Sequence, residues 1–308
     1  MRYNGNITGT EHGKSEPRNP IPCKKQIPIM EETTMKKLLS LTLAVLMIVA
    51  CLAAFASCGQ KTTTVYVAKA IEGVEVERYG YCISKTASNH DAILAAINAV
   101  ISETDIDAVV TYYTAVSNGE TPTNSIATVD LSDNTNGTLD IYTCSGFEPY
   151  EFIDNDGSTV IGVDIYLMQL VAEKLNMTIN VQDVDFDGIV GSIAVKDNAI
   201  GAAGITINED RKKNVDFSDP YFSSLQYIIS KDSESFTSLS NLAGKKIGVQ
   251  KGTTGCMMVT EAIENGVLKG TGATVVEYDT GAVAFTAMKQ GKCDFVVIDE
   301  LPAQKLVK

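Results

Sequence analysis

Between Gly204 and Phe222 the chain reads GITINEDRKKNVDFSDPYF, which sets a threonine, an arginine five residues on and an FSDPY turn in one short stretch. The apolar run Ala199 to Ile205 ahead of it reads as a buried strand, so Thr206 stands at the strand's end and Arg211 in the turn that follows. Backbone N–H groups, a hydroxyl and a guanidinium then converge on one point. A planar carboxylate fits that fork in a bidentate way, with charge-assisted hydrogen bonds worth about 1.5–3 kcal/mol each when dry. A lone arginine is more often a helix cap or a surface partner, here of Asp210, and contributes little there. The rest of the chain decides between the two readings.

Five further segments bear on it: CSGFEPYEF (Cys144 to Phe152), GVDIYLMQLVAEKLN (Gly162 to Asn176), VDFDGIV (Val184 to Val190), LAGKKIGVQKGTTG (Leu242 to Gly255) and CDFVVIDELPA (Cys293 to Ala303). In order and near-family spacing, they make the chain from Leu139 onward resemble the extracellular amino-acid-binding proteins that feed ABC transporters. The resemblance implies a two-lobed α/β fold, periplasmic-binding-protein-like of type II, with hinge strands between the lobes. It also implies a free amino acid as ligand, an ABC permease as partner, a monomeric state, and neither cofactor nor metal.

A site for an amino acid must offer both signs of charge at fixed separation. By resemblance, Arg211 and the N–H groups of Thr206 and Thr254 cradle the carboxylate. Thr254 opens a helix, where free N–H groups and the helix dipole favour an anion. Asp299, closing the strand DFVVID, stands where the family binds the ammonium, with the Gly204 carbonyl and Thr206 hydroxyl as further acceptors. From position alone Asp299 is a helix N-cap. Phe147 and Phe186 match rings that stack on the ligand side chain, and Tyr150 is near them, although loop aromatics are often core. Cys144 replaces an acid that relatives binding cationic side chains carry, which favours an uncharged ligand unless Glu148 or Asp187 turns inward.

The elements needed to hold these groups are legible from periodicity. Leu139 to Cys144 is a strand, Asp164 to Asn176 a helix and Ile179 to Val184 a strand, a pattern that makes a parallel sheet. A helix over Phe186 to Val195 and the strand from Ala199 complete one lobe. An extended Ser223 to Lys231 and the polar SESFTSLSNLAG lead to a second lobe. It holds strands at Lys245 to Gln250, Thr274 to Asp279 and Asp294 to Asp299, and helices at Cys256 to Glu264 and Ala282 to Gln290.

Family members continue beyond the point matching Lys308 with a strand returning to the first lobe and two closing helices. Here GVEVERYGYCIS (Gly73 to Ser84), read as two strands broken at Arg78, a helix at Asn89 to Glu103 and a second in DIDAVVTYYTAV resemble that part moved to the front. A circular permutation with its break in the second lobe accounts for this order; a fused, unrelated N-terminal domain is the alternative. The resulting boundaries are 1–34 untranslated or disordered, 35–57 signal, 58–72 linker, 73–78 a lobe 2 strand, 79–116 closing strand and helices of lobe 1, 117–138 linker, 139–231 lobe 1 and 232–308 lobe 2.

At 308 residues and 44% apolar, the chain can bury one large core or two modest ones. From Met35, two lysines, an apolar run, small residues and Cys58 form an export signal, with Cys58 resembling a lipoprotein acceptor and a membrane anchor. Cys51 competes but would leave an apolar mature end. A permanent spanning helix fits less well, because small residues end the run. Of 25 basic and 38 acidic residues, 7 and 4 precede Cys58, so the remainder carries 18 against 34, a net charge of −16. That excludes nucleic acid as a partner, since phosphate binding needs a basic face. Cys82, Cys144, Cys256 and Cys293 have neither zinc nor redox spacing and read as buried thiols. Two rivals share the fold: a dehydratase, for which no catalytic pair is evident, and a sensory receptor head.

Overall fold

The computed structural model describes residues 64–308; the export signal, residues 1–34 and the Cys58 acceptor lie outside the described residues. Strands β1 (Tyr66–Ala70), β2 (Glu77–Tyr79) and β3 (Cys82–Ser84) come first, then helices α1 (His90–Glu103) and α2 (Ile106–Ser117). The segment resembling family members follows with β4 (Thr138–Thr143), a small hairpin of β5 (Phe152–Ile153) and β6 (Val160–Ile161), α3 (Val163–Leu175), β7 (Thr178–Asp183), α4 (Phe186–Ile193) and β8 (Ala199–Gly201). The short α5 (Glu209–Lys212), β9 (Val215–Phe217), β10 (Phe222–Ser224) and β11 (Gln226–Lys231) lead to the second half. That half contains β12 (Lys246–Gln250), α6 (Thr254–Glu264), β13 (Thr274–Tyr278), α7 (Gly281–Lys289), β14 (Phe295–Asp299) and α8 (Glu300–Leu306).

Two five-stranded sheets define two lobes. The first has the order β7-β4-β8-β3-β9, with β4 parallel to both neighbours and β3 antiparallel to both of its own. The second has the order β1-β11-β14-β12-β13, parallel from β14 to β13 and antiparallel across β1, β11 and β14. Between them β2 pairs antiparallel with β10, Tyr79 opposite Phe222 and Glu77 opposite Ser224. The parallel cores match the strand–helix–strand alternation, since parallel neighbours need a crossover.

Local chemistry sets the helix ends. Thr253 and Thr280 cap α6 and α7, accepting from the N–H of Cys256 and Val283 at 3.2 Å each. Asn176 ends α3 with φ 55°, a left-handed conformation that asparagine tolerates. The buried stripe of α1, Ile93, Ala96, Ile97 and Val100, packs on α3, whose Met168, Val171 and Ala172 are buried in the same core.

Three boundaries differ from expectation. The linker at 58–72 contains β1, an edge strand only half-buried and so lacking a strong apolar signal. Residues 73–78 are not a lobe 2 strand: β2 starts at Glu77, and the break before β3 falls at Gly80 and Tyr81 instead of Arg78. The extended run Ser223 to Lys231 splits at Leu225, so β11 already belongs to the second sheet and the lobes part before residue 232. Apolar patterning cannot show such a change of partners. The segment 117–138 is pinned along its length: Ile126, Val129 and Leu131 pack on the core and Asn134 Nδ2 donates to the Met177 carbonyl at 2.8 Å. Cys82, Cys144, Cys256 and Cys293 are buried free thiols. No helix among the described residues is long and apolar enough to cross a membrane.

Candidate functional site

The strands β8, β12 and β14 all end at the cleft between the sheets, and the turns after them carry the polar groups. This is where open α/β sheets place ligands. The space between the lobes there, counted together with the solvent at its mouth, is about 290 Å³. The first lobe supplies Phe147, Glu151, Phe186, Gly204, Thr206 and Arg211; the second supplies Gln250, Thr254 and Asp299.

Arg211 lies in α5, whose cap residue Asn208 accepts from the Arg211 N–H at 2.8 Å. Its guanidinium is buried, donates to the carbonyls of Thr206 at 2.7 Å and Gly252 at 3.1 Å, and lies 5.4 Å from the Phe186 ring centre. Two of five donors are thereby used, and the rest remain for an anion. Burial pushes its proton affinity down, although the charges of Glu77 and Asp299 oppose this. Thr254 is the first residue of α6, where N–H groups have no intrahelical partner. Gly204 has φ 54°, and a Cβ there would lie 2.6 Å from the Phe147 ring, so only glycine lets that ring approach. Its N–H donates to Asp164 Oδ2 at 2.9 Å, which anchors the turn to α3.

Asp299 occupies the N-cap position of α8 but makes no side-chain cap bond. Its carboxylate turns instead to the cleft and accepts from Tyr79 Oη at 2.6 Å. Burial, and then the charge of Glu77, lift its pKa to about 7. An ammonium beside it would restore the ionised form.

Arg211, Thr206, Gly204, Phe147, Phe186, Thr254 and Asp299 are therefore brought together around one space. Tyr150 is not: it is fully buried behind Tyr79, ring centres 5.3 Å apart in an edge-on pair, and belongs to the aromatic core. Cys144 lines a groove beside the site with Asp183 and Asp185, and its Sγ accepts from Gln250 Nε2 at 3.6 Å across the lobes. Asp187 does not turn inward; it pairs with Lys251 at 2.6 Å. Glu148 is also absent from the wall.

Sequence reasoning missed Glu151, Gln250, Glu77 and Tyr79. Glu151 is 1% exposed, and neither carboxylate oxygen has a partner. Burial and the nearby charge of Asp164 raise its pKa well above the carboxylate range. In CSGFEPYEF it is flanked by Tyr150 and Phe152, and that apolar setting was the available signal for burial.

The fold and cleft define a class: two-lobed, periplasmic-binding-protein-like proteins that close around a small solute. Residues 139–296 match the sequence model of bacterial extracellular solute-binding proteins, family 3, and the chain belongs to that family. It is 35% identical over 111 residues to the arginine-binding extracellular protein ArtP of Bacillus subtilis, 36% of this chain and 43% of the relative. It is 31% identical over 158 residues to the arginine-binding protein ArgT of Corynebacterium glutamicum, 50% of this chain and 51% of the relative. The chain thus spans about half the length of these curated relatives. Among solved structures, an ancestral arginine-binding protein bound to arginine is 40% identical with a TM-score of 0.50, over 56% of this chain and 74% of the other.

Proposed function

We propose that this protein captures a free amino acid between its lobes and delivers it to the permease of an ABC transporter from the outer face of the cytoplasmic membrane, anchored by lipid on Cys58. The observation that carries the reading is the meeting of buried Arg211 from one lobe and buried Asp299 from the other at one space in the cleft. A zwitterion is complementary to that pair. Because it touches both halves, it stabilises the closed arrangement, and a permease can read closure.

The ligand's side chain is cationic in this reading, which departs from the uncharged ligand expected from Cys144. Glu151 supports the change: it lines the space, both of its oxygens are unpaired, and a buried carboxylate calls for a cationic partner. Asp183 and Asp185 at the adjoining groove add a field that draws cations in. The arginine-binding relatives are consistent with this choice.

Isothermal calorimetry on the chain from Gly59 onward, with L-arginine, L-lysine and L-glutamine, tests the reading. Arginine or lysine is expected to bind more tightly than glutamine. Arg211→Ala should weaken binding by about 2–5 kcal/mol, chiefly by leaving a buried carboxylate unpaired. A loss below tenfold would remove Arg211 from the site.

A further inference from the structure

Glu77 is on β2, the hinge strand, outside the segment that matches the family. Its Oε2 accepts from Thr206 Oγ1 of the first lobe at 2.7 Å and from Thr254 Oγ1 of the second at 2.7 Å. Those two hydroxyls are 3.5 Å apart, and each has one proton, which Glu77 takes. Thr254 Oγ1 also receives Gln226 Nε2 at 3.4 Å. Thr206 Oγ1 is left with lone pairs and no donor to offer the cleft. Two residues along the same face of the strand, Tyr79 Oη holds Asp299.

We propose that Glu77 is a positioning residue that clips the two lobes together through Thr206 and Thr254 and turns the Thr206 hydroxyl into an obligate acceptor for the ligand's ammonium. The physical reason is proton bookkeeping: a hydroxyl whose hydrogen is committed to a carboxylate can only accept elsewhere. The clip needs all three elements at once, since its partners lie on opposite sides of the hinge. It therefore forms on closure and is lost on opening. The charge has a second effect, because Glu77 faces Asp299 alongside Tyr79, Tyr150, Gln226 and Arg211.

The ammonium role rests on the amino-acid reading; the clip does not. Three proteins are compared: wild type, Glu77→Ala and Glu77→Gln, whose single amide oxygen can still accept both hydroxyls. Without ligand, small-angle scattering should show Glu77→Ala more extended than wild type, with Glu77→Gln close to wild type. With L-arginine as probe, Glu77→Ala should dissociate at least tenfold faster. Glu77→Gln should retain most of the affinity, while the pH below which binding is lost moves down, because the charge opposing Asp299 ionisation is gone. Equal scattering and equal dissociation for wild type and Glu77→Ala would overturn the inference. If wild type binds none of the common amino acids but Glu77→Ala still opens, the clip stands and the function reading fails.

Discussion

Glu151 is the residue whose chemistry is most exposed to test. Burial and the charge of Asp164 hold its carboxyl protonated well beyond the ordinary range, whereas a guanidinium beside it favours the ionised form. Arginine binding near neutral pH should therefore release a proton, seen by calorimetry in buffers of different ionisation enthalpy, and Glu151→Gln should abolish the release and cost about 2–4 kcal/mol for arginine but little for glutamine. Asp299, raised to about 7, and Asp164, raised to about 6, both chiefly by burial, make the stability of the ligand-free protein depend on pH. Their folded values lie above the unfolded ones, so the stability they contribute is complete below about pH 4 and is lost as pH rises through about 7. Ligand-free protein should melt roughly 5–10 °C lower at pH 8 than at pH 5, and Asp299→Asn should remove part of that difference. Affinity for the ligand should rise over the same window. A flat melting profile would show that these carboxyls are not held protonated.

At the scale of elements, the parallel cores were legible because period and order are local: β4, α3, β7, α4 and β8 fall within a few residues of their expected ends. Arg211, Thr206 and Asp299 were assigned through the family resemblance: Asp299 does end β14, but β8 stops at Gly201, short of Thr206, and Arg211 lies in α5. What β1 and β2 do was not legible, since a half-buried edge strand and a three-residue strand have no period to read, and their partners β11 and β10 are more than 100 residues away; nor was the sheet that β11 joins. Glu77 and Glu151 escaped for the same reason: a carboxylate's value depends on what packs over it. Lys251 and Asp187 join the turn before α6 to α4 across the cleft mouth at 2.6 Å. Both are partly exposed, so the pair adds at most about 1 kcal/mol to stability. Lys251→Ala should leave the melting temperature within about 2 °C, yet speed ligand release severalfold at low salt. That difference should vanish near 0.5 M salt, where surface charges are screened; its persistence would show that Lys251 acts by packing.

At the scale of the whole molecule, we propose from the order of the elements that the chain is a circular permutant. The match to the ancestral arginine-binding protein covers 74% of that structure but 56% of this chain. Residues 66–117 supply what a two-lobed fold of this kind still needs. β3 is inserted between β8 and β9, β2 pairs with the hinge strand β10, α1 packs on α3, and β1 extends the second sheet beside α8. A fused independent domain would have its own core, whereas Tyr79, Ile83, Ile93 and Ile97 share one with Leu139, Ile141 and Met168. The two accounts predict opposite results for one deletion. Removing residues 64–117 should leave an independent family domain folded and binding, but a permutant would lose the strand between β8 and β9 and should not give a cooperative melt. Reordering the chain to run from Asn118 to Val307 and then, through a short Gly/Ser linker, from Val65 to Ser117 should restore a cooperative melt, with affinity within about threefold of the original, because every strand keeps its partner and 118–137 keep their place on the core. A deletion variant that binds as the full chain does would leave the fused-domain account standing.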